Sequence, residues 1–230
     1  MTADDLKRAS ADASLKYVKD GMVLGLGTGS TARYVLEGLA HKISEEGLLV
    51  SGVPTSLASA EAARLLGIPL TSLEEHPVLD LAIDGADEVD PHLDLIKGLG
   101  GALFREKIVA AAARKFIVVV DESKIVPRLG TRVPVPVEVH PFGWRSTQAA
   151  LEALRAKVTL RTVEGTPFRT DNGNLVLDAH FGVIRTPARL AASLDAVPGV
   201  VGHGLFLKMT DLALAASEHG VRTLRPTRRT

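Results

Sequence analysis

Short apolar runs alternate along the first half of the chain with segments whose apolar positions recur at helical spacing. Residues 3 to 18 carry Leu6, Ala9, Ala13, Tyr17 and Val18 at that spacing, which predicts a helix. MVLGLG then reads as a buried strand that breaks at GTGST into a helix from Thr31 to Ile43. LLVSGVP is a second strand, and SLASAEAARLLG a helix with Gly67 as its C′ glycine. The apolar segments IPLTSL, VLDLAID and LDLIKG follow, then the helix ALFREKIVAAAARKF and the strand FIVVVDES. These strands are apolar throughout rather than alternating, the pattern of a parallel sheet covered on both faces. Connections in such a sheet are right-handed, and ligands gather at the carboxyl ends of its strands.

The pattern changes after Gly130. TRVPVPVEVHPFG, with three prolines, reads as a crossing between domains. With PVPVEVH as a first strand, the order becomes β-α-β-β-α-β. The helix Ser146 to Leu154, strand KVTLRTV, strand LVLDAHF, helix ARLAASLDAV and strand VVGHGLFLK complete it. Asp171-Asn172-Gly173-Asn174 marks a turn between the two middle strands. Residues 209 to 224 are expected to return to the first domain. The fold class is therefore α/β, a parallel-sheet Rossmann-like domain with a smaller ferredoxin-like α+β domain. The first is assigned to 1–131 plus 208–230, and the second, a place for oligomer contact, to 132–207.

Composition narrows the function. Apolar residues make up 46% of the 230, enough for a real core. Lys plus Arg equals Asp plus Glu at 27 each, which tells against a protein held on nucleic acid by phosphate contacts. The absence of cysteine excludes disulfides, thiolate catalysis and Cys-ligated metals. The N-terminal stretch is polar, without the apolar core of a signal peptide, and no apolar run is long enough to span a bilayer. A soluble, cytoplasmic protein with no membrane partner is expected. The basic tail RTLRPTRRT reads as a solvated end.

Four places carry candidate chemistry. GLGTGST lies between a strand and a helix, where glycines admit an anion and the helix N-terminus offers free N–H groups. It matches GxGxxA formally, but the acidic residue that a dinucleotide site needs about 20 positions on is missing. Ala32-Arg33 is wrong for a P-loop, so a small phosphate fits best, with a capped tight turn as the bland alternative. DLAIDGADEVD puts Asp84 at the end of an apolar run, with Asp87, Glu88 and Asp90 close behind. Helix capping explains one acid and a Mg²⁺ site would explain several, yet no second carboxylate cluster or histidine pair supports a metal. Lys97 ends LDLIK beside glycines, and Lys124 ends FIVVVDESK; either could be an ordinary solvated lysine. Glu106 shares a helix face with Ala102, Val109, Ala110 and Ala113. A carboxylate on that apolar stripe is partly desolvated, which raises its pKa, while a nearby Lys97 lowers it, the tuning a general base needs. The GTGST loop, Asp84, Lys97 and Lys124 each follow a different apolar strand, so a parallel sheet would turn them toward one crevice.

GLGTGSTA, GVPTS, DGADEVD, KGLGGALFREK and DESK resemble, in order and spacing, the motifs of the ribose-5-phosphate isomerase A family, from about Tyr17 to Lys208. The resemblance implies that Thr28, Gly29, Ser30 and Thr31, then Asp84, Gly85, Ala86 and Asp87, then Lys97, Gly98, Leu99 and Gly100 form substrate-binding loops. It also implies that Glu106 is the proton acceptor and Lys124 a further substrate contact. The family's glycine run after the lysine is interrupted here by Leu99. The resemblance further implies a homodimer or homotetramer that needs no metal or organic cofactor. On this reading Glu106 moves a proton between C2 and C1 of a sugar phosphate through a cis-enediolate. Lys97 steadies the oxyanion, Asp84 binds hydroxyls and assists ring opening, and Asp87 orients them. Two alternatives remain: a non-catalytic sugar-phosphate-sensing domain, which needs no glutamate, and Schiff-base chemistry at Lys97.

Overall fold

The computed structural model describes residues 1–227; the last three residues of the basic tail, 228–230, lie outside the described residues. The first half runs α1 (Ala3–Leu15), β1 (Val23–Leu26), α2 (Ser30–Glu46), β2 (Ser51–Pro54), α3 (Leu57–Leu65) and β3 (Leu81–Asp84). Two short strands follow, β4 (Glu88–Val89) and β5 (Leu95–Ile96), then α4 (Leu103–Ala112), β6 (Phe116–Asp121) and a 3₁₀ turn (Glu122–Lys124). Next come β7 (Val135–Val139), α5 (Trp144–Ala153), β8 (Lys157–Leu160), β9 (Thr162–Val163) and β10 (Thr166–Pro167). The chain ends with β11 (Leu175–His180), α6 (Pro187–Asp195), β12 (Val200–His203), β13 (Leu205–Phe206), β14 (Leu212–Ser217) and β15 (Gly220–Leu224).

The main sheet has the order β15-β14-β6-β3-β1-β2. Its pairings are parallel except for the edge strand β15, which is antiparallel to β14. All six residues of β6 and all six of β14 are buried. Ile117, Val119 and Leu214 face one core with residues of α1 and α2, while Val118, Val120 and Ala215 face another with Val109 and Ala110 of α4. Both sheet faces are covered, so these strands need apolar residues at every position. Residues 212–224 supply β14 and β15 of this sheet.

A second sheet, β12-β7-β11-β8, is antiparallel throughout and gives the ferredoxin-like order. Its core joins Val135, Val137 and Val139 of β7 to Leu151 of α5 and Leu194 of α6. KVTLRTV does not run on as one strand. It breaks at Arg161, and β9 turns back on β10 through Gly165, whose φ is +78°.

Two further expectations need correction. IPLTSL makes only a single bridge, Leu70 to Gly52, with the sheet. LDLIKG does not enter the parallel sheet at all. Its β5 lies in a small antiparallel sheet, β13-β5-β4, because VVGHGLFLK bends at Gly204 and lays Leu205 and Phe206 against Ile96 and Leu95. Leu95, Ile96 and Phe206 are fully buried, so the run has the composition of a central strand without being one.

Candidate active site

Gly27 follows β1 at a point where a side chain could not fit. A Cβ there would lie 2.3 Å from Asp84 Oδ1 and 2.7 Å from Asp84 Cα. The contact lets the GTGST loop lie directly on the end of β3. Thr28 N–H and Gly85 N–H then donate to Asp84 Oδ1 at 3.1 and 2.7 Å. Gly29, with φ +103°, starts α2 without a side-chain cap, so the first-turn N–H groups at Ser30 and Thr31 receive no acceptor from Gly29's side. The Thr28 hydroxyl sits in a cluster with Thr55, Ser56 and Ser59 at 2.7 to 2.8 Å.

Lys97 is only 3% exposed, and its backbone N–H donates to Gly204 O at 2.9 Å. Its ammonium reaches Asp84 Oδ2 at 2.9 Å, donates to Gly85 O at 2.6 Å, and lies 3.5 Å from Glu106 Oε2. Glu106 is one turn into α4, 6% exposed, on the face that also buries Leu103, Val109 and Ala110. That face packs tightly because Gly25 lacks a side chain; a Cβ there would meet Val109 Cγ1 at 2.5 Å. Glu106 Oε2 is buried and receives no hydrogen bond.

One ammonium thus serves two buried carboxylates. Burial would lower the Lys97 ammonium, but Asp84, Glu106 and Asp87 outweigh it and hold it above its ordinary value. Burial raises the Asp84 carboxyl, against Lys97 and the two N–H donors. Burial also pushes Glu106 up, to about 8; Lys97 pulls against this, while Asp84 and Asp87 push further. Asp84 is met by three donors, Thr28 N–H, Gly85 N–H and the Lys97 ammonium, whereas Glu106 Oε2 has the ammonium only at 3.5 Å and accepts no hydrogen bond.

A cavity of 380 Å³ opens in front of this cluster. Thr28 to Thr31, Gly85 to Asp87, Lys97, Gly98, Gly100, Glu106 and Lys124 line it. Two of the residues singled out from sequence do not. Asp84 stands behind Lys97 with both oxygens engaged, and Leu99 turns its side chain out, 39% exposed, while its N–H donates to Asp87 Oδ2 at 3.0 Å. The loop therefore accommodates a leucine because only its backbone is used.

Four lining residues escaped the sequence reading: Ala3, Lys7, Asp121 and Ser123. Asp121 and Ser123 sit in the DESK segment, where the Ser123 N–H donates to Asp121 Oδ1 at 2.9 Å. Lys7 belongs to α1, whose start is fixed by a capping box between Thr2 and Asp5. Nothing local marks Lys7 among the chain's lysines; only the packing of α1 across the sheet brings it there. A larger cavity, 620 Å³, lies elsewhere beside Arg128, Arg185 and Arg189, without a lysine–glutamate pair. Among the described residues no group of three or more His, Asp or Glu is arranged to hold a metal ion.

Residues 51–220 match the family model for ribose 5-phosphate isomerase A (phosphoriboisomerase A). The chain is 54% identical to the ribose-5-phosphate isomerase A of Synechococcus sp. (strain JA-3-3Ab), over 97% of this chain and 98% of that protein. It is 56% identical to that of Roseiflexus castenholzii, over 94% and 93%. A solved ribose-5-phosphate isomerase in complex with phospho-erythronic acid superposes with a TM-score of 0.95 at 40% identity, covering 98% of this chain and all of that one. The Methanocaldococcus jannaschii enzyme gives 0.94 at 43%, covering 97% and 100%. The chain belongs to the ribose 5-phosphate isomerase A family, and with it to the isomerases.

Proposed function

We propose that the chain interconverts ribose 5-phosphate and ribulose 5-phosphate through a cis-enediolate, in the non-oxidative branch of pentose phosphate metabolism, with Glu106 as the base. The observation that carries this is a buried, unpartnered Glu106 Oε2 beside the Lys97 ammonium at the wall of a sugar-sized cavity. In the open-chain aldose, Glu106 removes the C2 proton. The C1=C2 bond forms and the aldehyde oxygen becomes an oxyanion. The same carboxyl returns the proton to C1 while the O2 proton moves to O1, leaving the C2 ketone.

Lys97 and the loop N–H groups steady the oxyanion. Asp84, with both oxygens taken by protein donors, holds Lys97 rather than touching sugar hydroxyls. Ring opening then falls to Asp87, which lines the cavity. At the far end, Lys7, Lys124 and the uncapped start of α2 suit a phosphate dianion. The reading also assigns 1–131 with 208–230 to a catalytic unit in the cytoplasm and 132–207 to a unit that contacts other subunits. Light scattering that finds only monomers would remove that contact.

The test is ribose 5-phosphate with the protein, following ribulose 5-phosphate, with and without chelator. Glu106→Gln is expected to lower turnover about 10³-fold or more, and proton exchange at C1 with it, while substrate binding persists. Near-normal turnover would take Glu106 out of the mechanism.

A further inference from the structure

The Gly98–Gly100 loop is held from outside the catalytic sheet. Arg161, just past β8, donates from Nη1 to Gly98 O at 3.0 Å and to Leu99 O at 2.8 Å. Its other edge is locked to Asp178 of β11, Nε to Oδ2 at 2.9 Å and Nη2 to Oδ1. Both side chains are mostly buried, 13% and 19% exposed. The guanidinium fork therefore has one orientation, fixed by a paired carboxylate on a strand. Phe168 supports the same loop, because a Cβ on Gly101, whose φ is +84°, would fall 2.4 Å from its ring.

The consequence follows from peptide planarity. In a trans peptide the N–H points opposite to the C=O. The Gly98–Leu99 peptide is gripped at both ends, its oxygen by Arg161 and its N–H by Asp87. In the Leu99–Gly100 peptide the oxygen is on Arg161, so the Gly100 N–H is turned the other way. Gly100 lines the cavity, and among the described residues no acceptor takes its N–H.

We propose that Arg161 is a positioning residue for the isomerase reaction: by drawing the Gly98 and Leu99 carbonyls outward, it aims the Gly100 N–H into the cavity as a donor for the developing oxyanion. Without it the Leu99–Gly100 peptide can flip and present a carbonyl oxygen to that charge. The inference rests on the isomerase reading above.

Arg161→Ala, Arg161→Lys and Asp178→Asn test it, beside wild type. Arg161→Ala should lower kcat about 100-fold, as misplacement of a catalytic group does, with KM changed far less. Added guanidinium should restore part of kcat, and Arg161→Lys, which cannot grip two carbonyls and Asp178 together, should restore little. A second readout needs no turnover. On titration with phospho-erythronic acid, the Gly100 amide resonance should shift strongly in wild type and weakly in Arg161→Ala. A folded Arg161→Ala with kcat within twofold of wild type overturns the proposal. So does a loss that guanidinium does not rescue and that leaves the amide response intact. If Arg161→Ala does not fold, Asp178→Asn carries the test, with a smaller kcat loss expected and an unchanged kcat overturning. Wild type that binds the acid but does not isomerise would defeat the isomerase reading instead.

Discussion

Glu106 combines burial with an empty acceptor, and both have measurable consequences. As the proposed base, Glu106 would act in its ionised form, and burial pushes its carboxyl up to about 8 in the free protein. kcat/KM should therefore climb about tenfold per pH unit below that value and level off above it. A profile flat from pH 6 to 9 would mean another group sets the limit. The same displacement acts on stability. Unfolded, a glutamate loses its proton near 4.5, whereas folded Glu106 keeps it to about 8. Its contribution is thus full below the unfolded value and is lost as pH rises through the folded one. Glu106→Gln, which cannot ionise, should gain on wild type across that window by on the order of a few kcal/mol, read from urea midpoints. Leu99 shows the opposite case, a residue whose side chain is idle. Leu99→Gly should leave kcat within about threefold, while Leu99→Pro, which removes the N–H held by Asp87, should cost about tenfold or more.

Elements set where these residues stand. α4 is drawn close to the sheet by the missing side chain at Gly25. Gly25→Ala should cost about 1–3 kcal/mol through overpacking and should also depress kcat, because Val109 shares its helix face with Glu106. Adding Val109→Ala removes the nearer clash and should recover part of both losses; no recovery would place the damage elsewhere. The parallel strands were legible because burial on two faces demands unbroken apolar runs, as in β6 and β14. The same logic misplaced LDLIK. Its buried residues are packed under a strand contributed by Leu205 and Phe206, more than a hundred positions away, and no local pattern encodes that pairing. Glu106 was legible from its apolar stripe. Lys7 was not, since its helix face carries no mark of what it will approach.

At the scale of the whole molecule, the crowding of acids after β3 turns out to divide its labour. Asp84 holds Lys97, Asp87 lines the cavity, and Asp90 takes the N–H groups of His92 and Asp94. Glu88, fully buried, binds the crossing to the second sheet through the N–H groups of Gly130, Arg132 and Val133. Glu88→Gln turns an NH₂ toward backbone donors and should destabilise by about 2–4 kcal/mol in chemical unfolding; a variant as stable as wild type would show that the crossing is held by other means. The placing of Lys97 has a temporal consequence too. Its backbone is pinned by Gly204 and its strand by Leu205 and Phe206, while β14 must still slot in beside β6. On the ribosome, β1, β2, β3 and β6 can assemble early, but the ammonium has no fixed seat until the last fifth of the chain has emerged. If Lys97 acts as proposed, a nascent chain should therefore stay catalytically silent until synthesis is nearly complete.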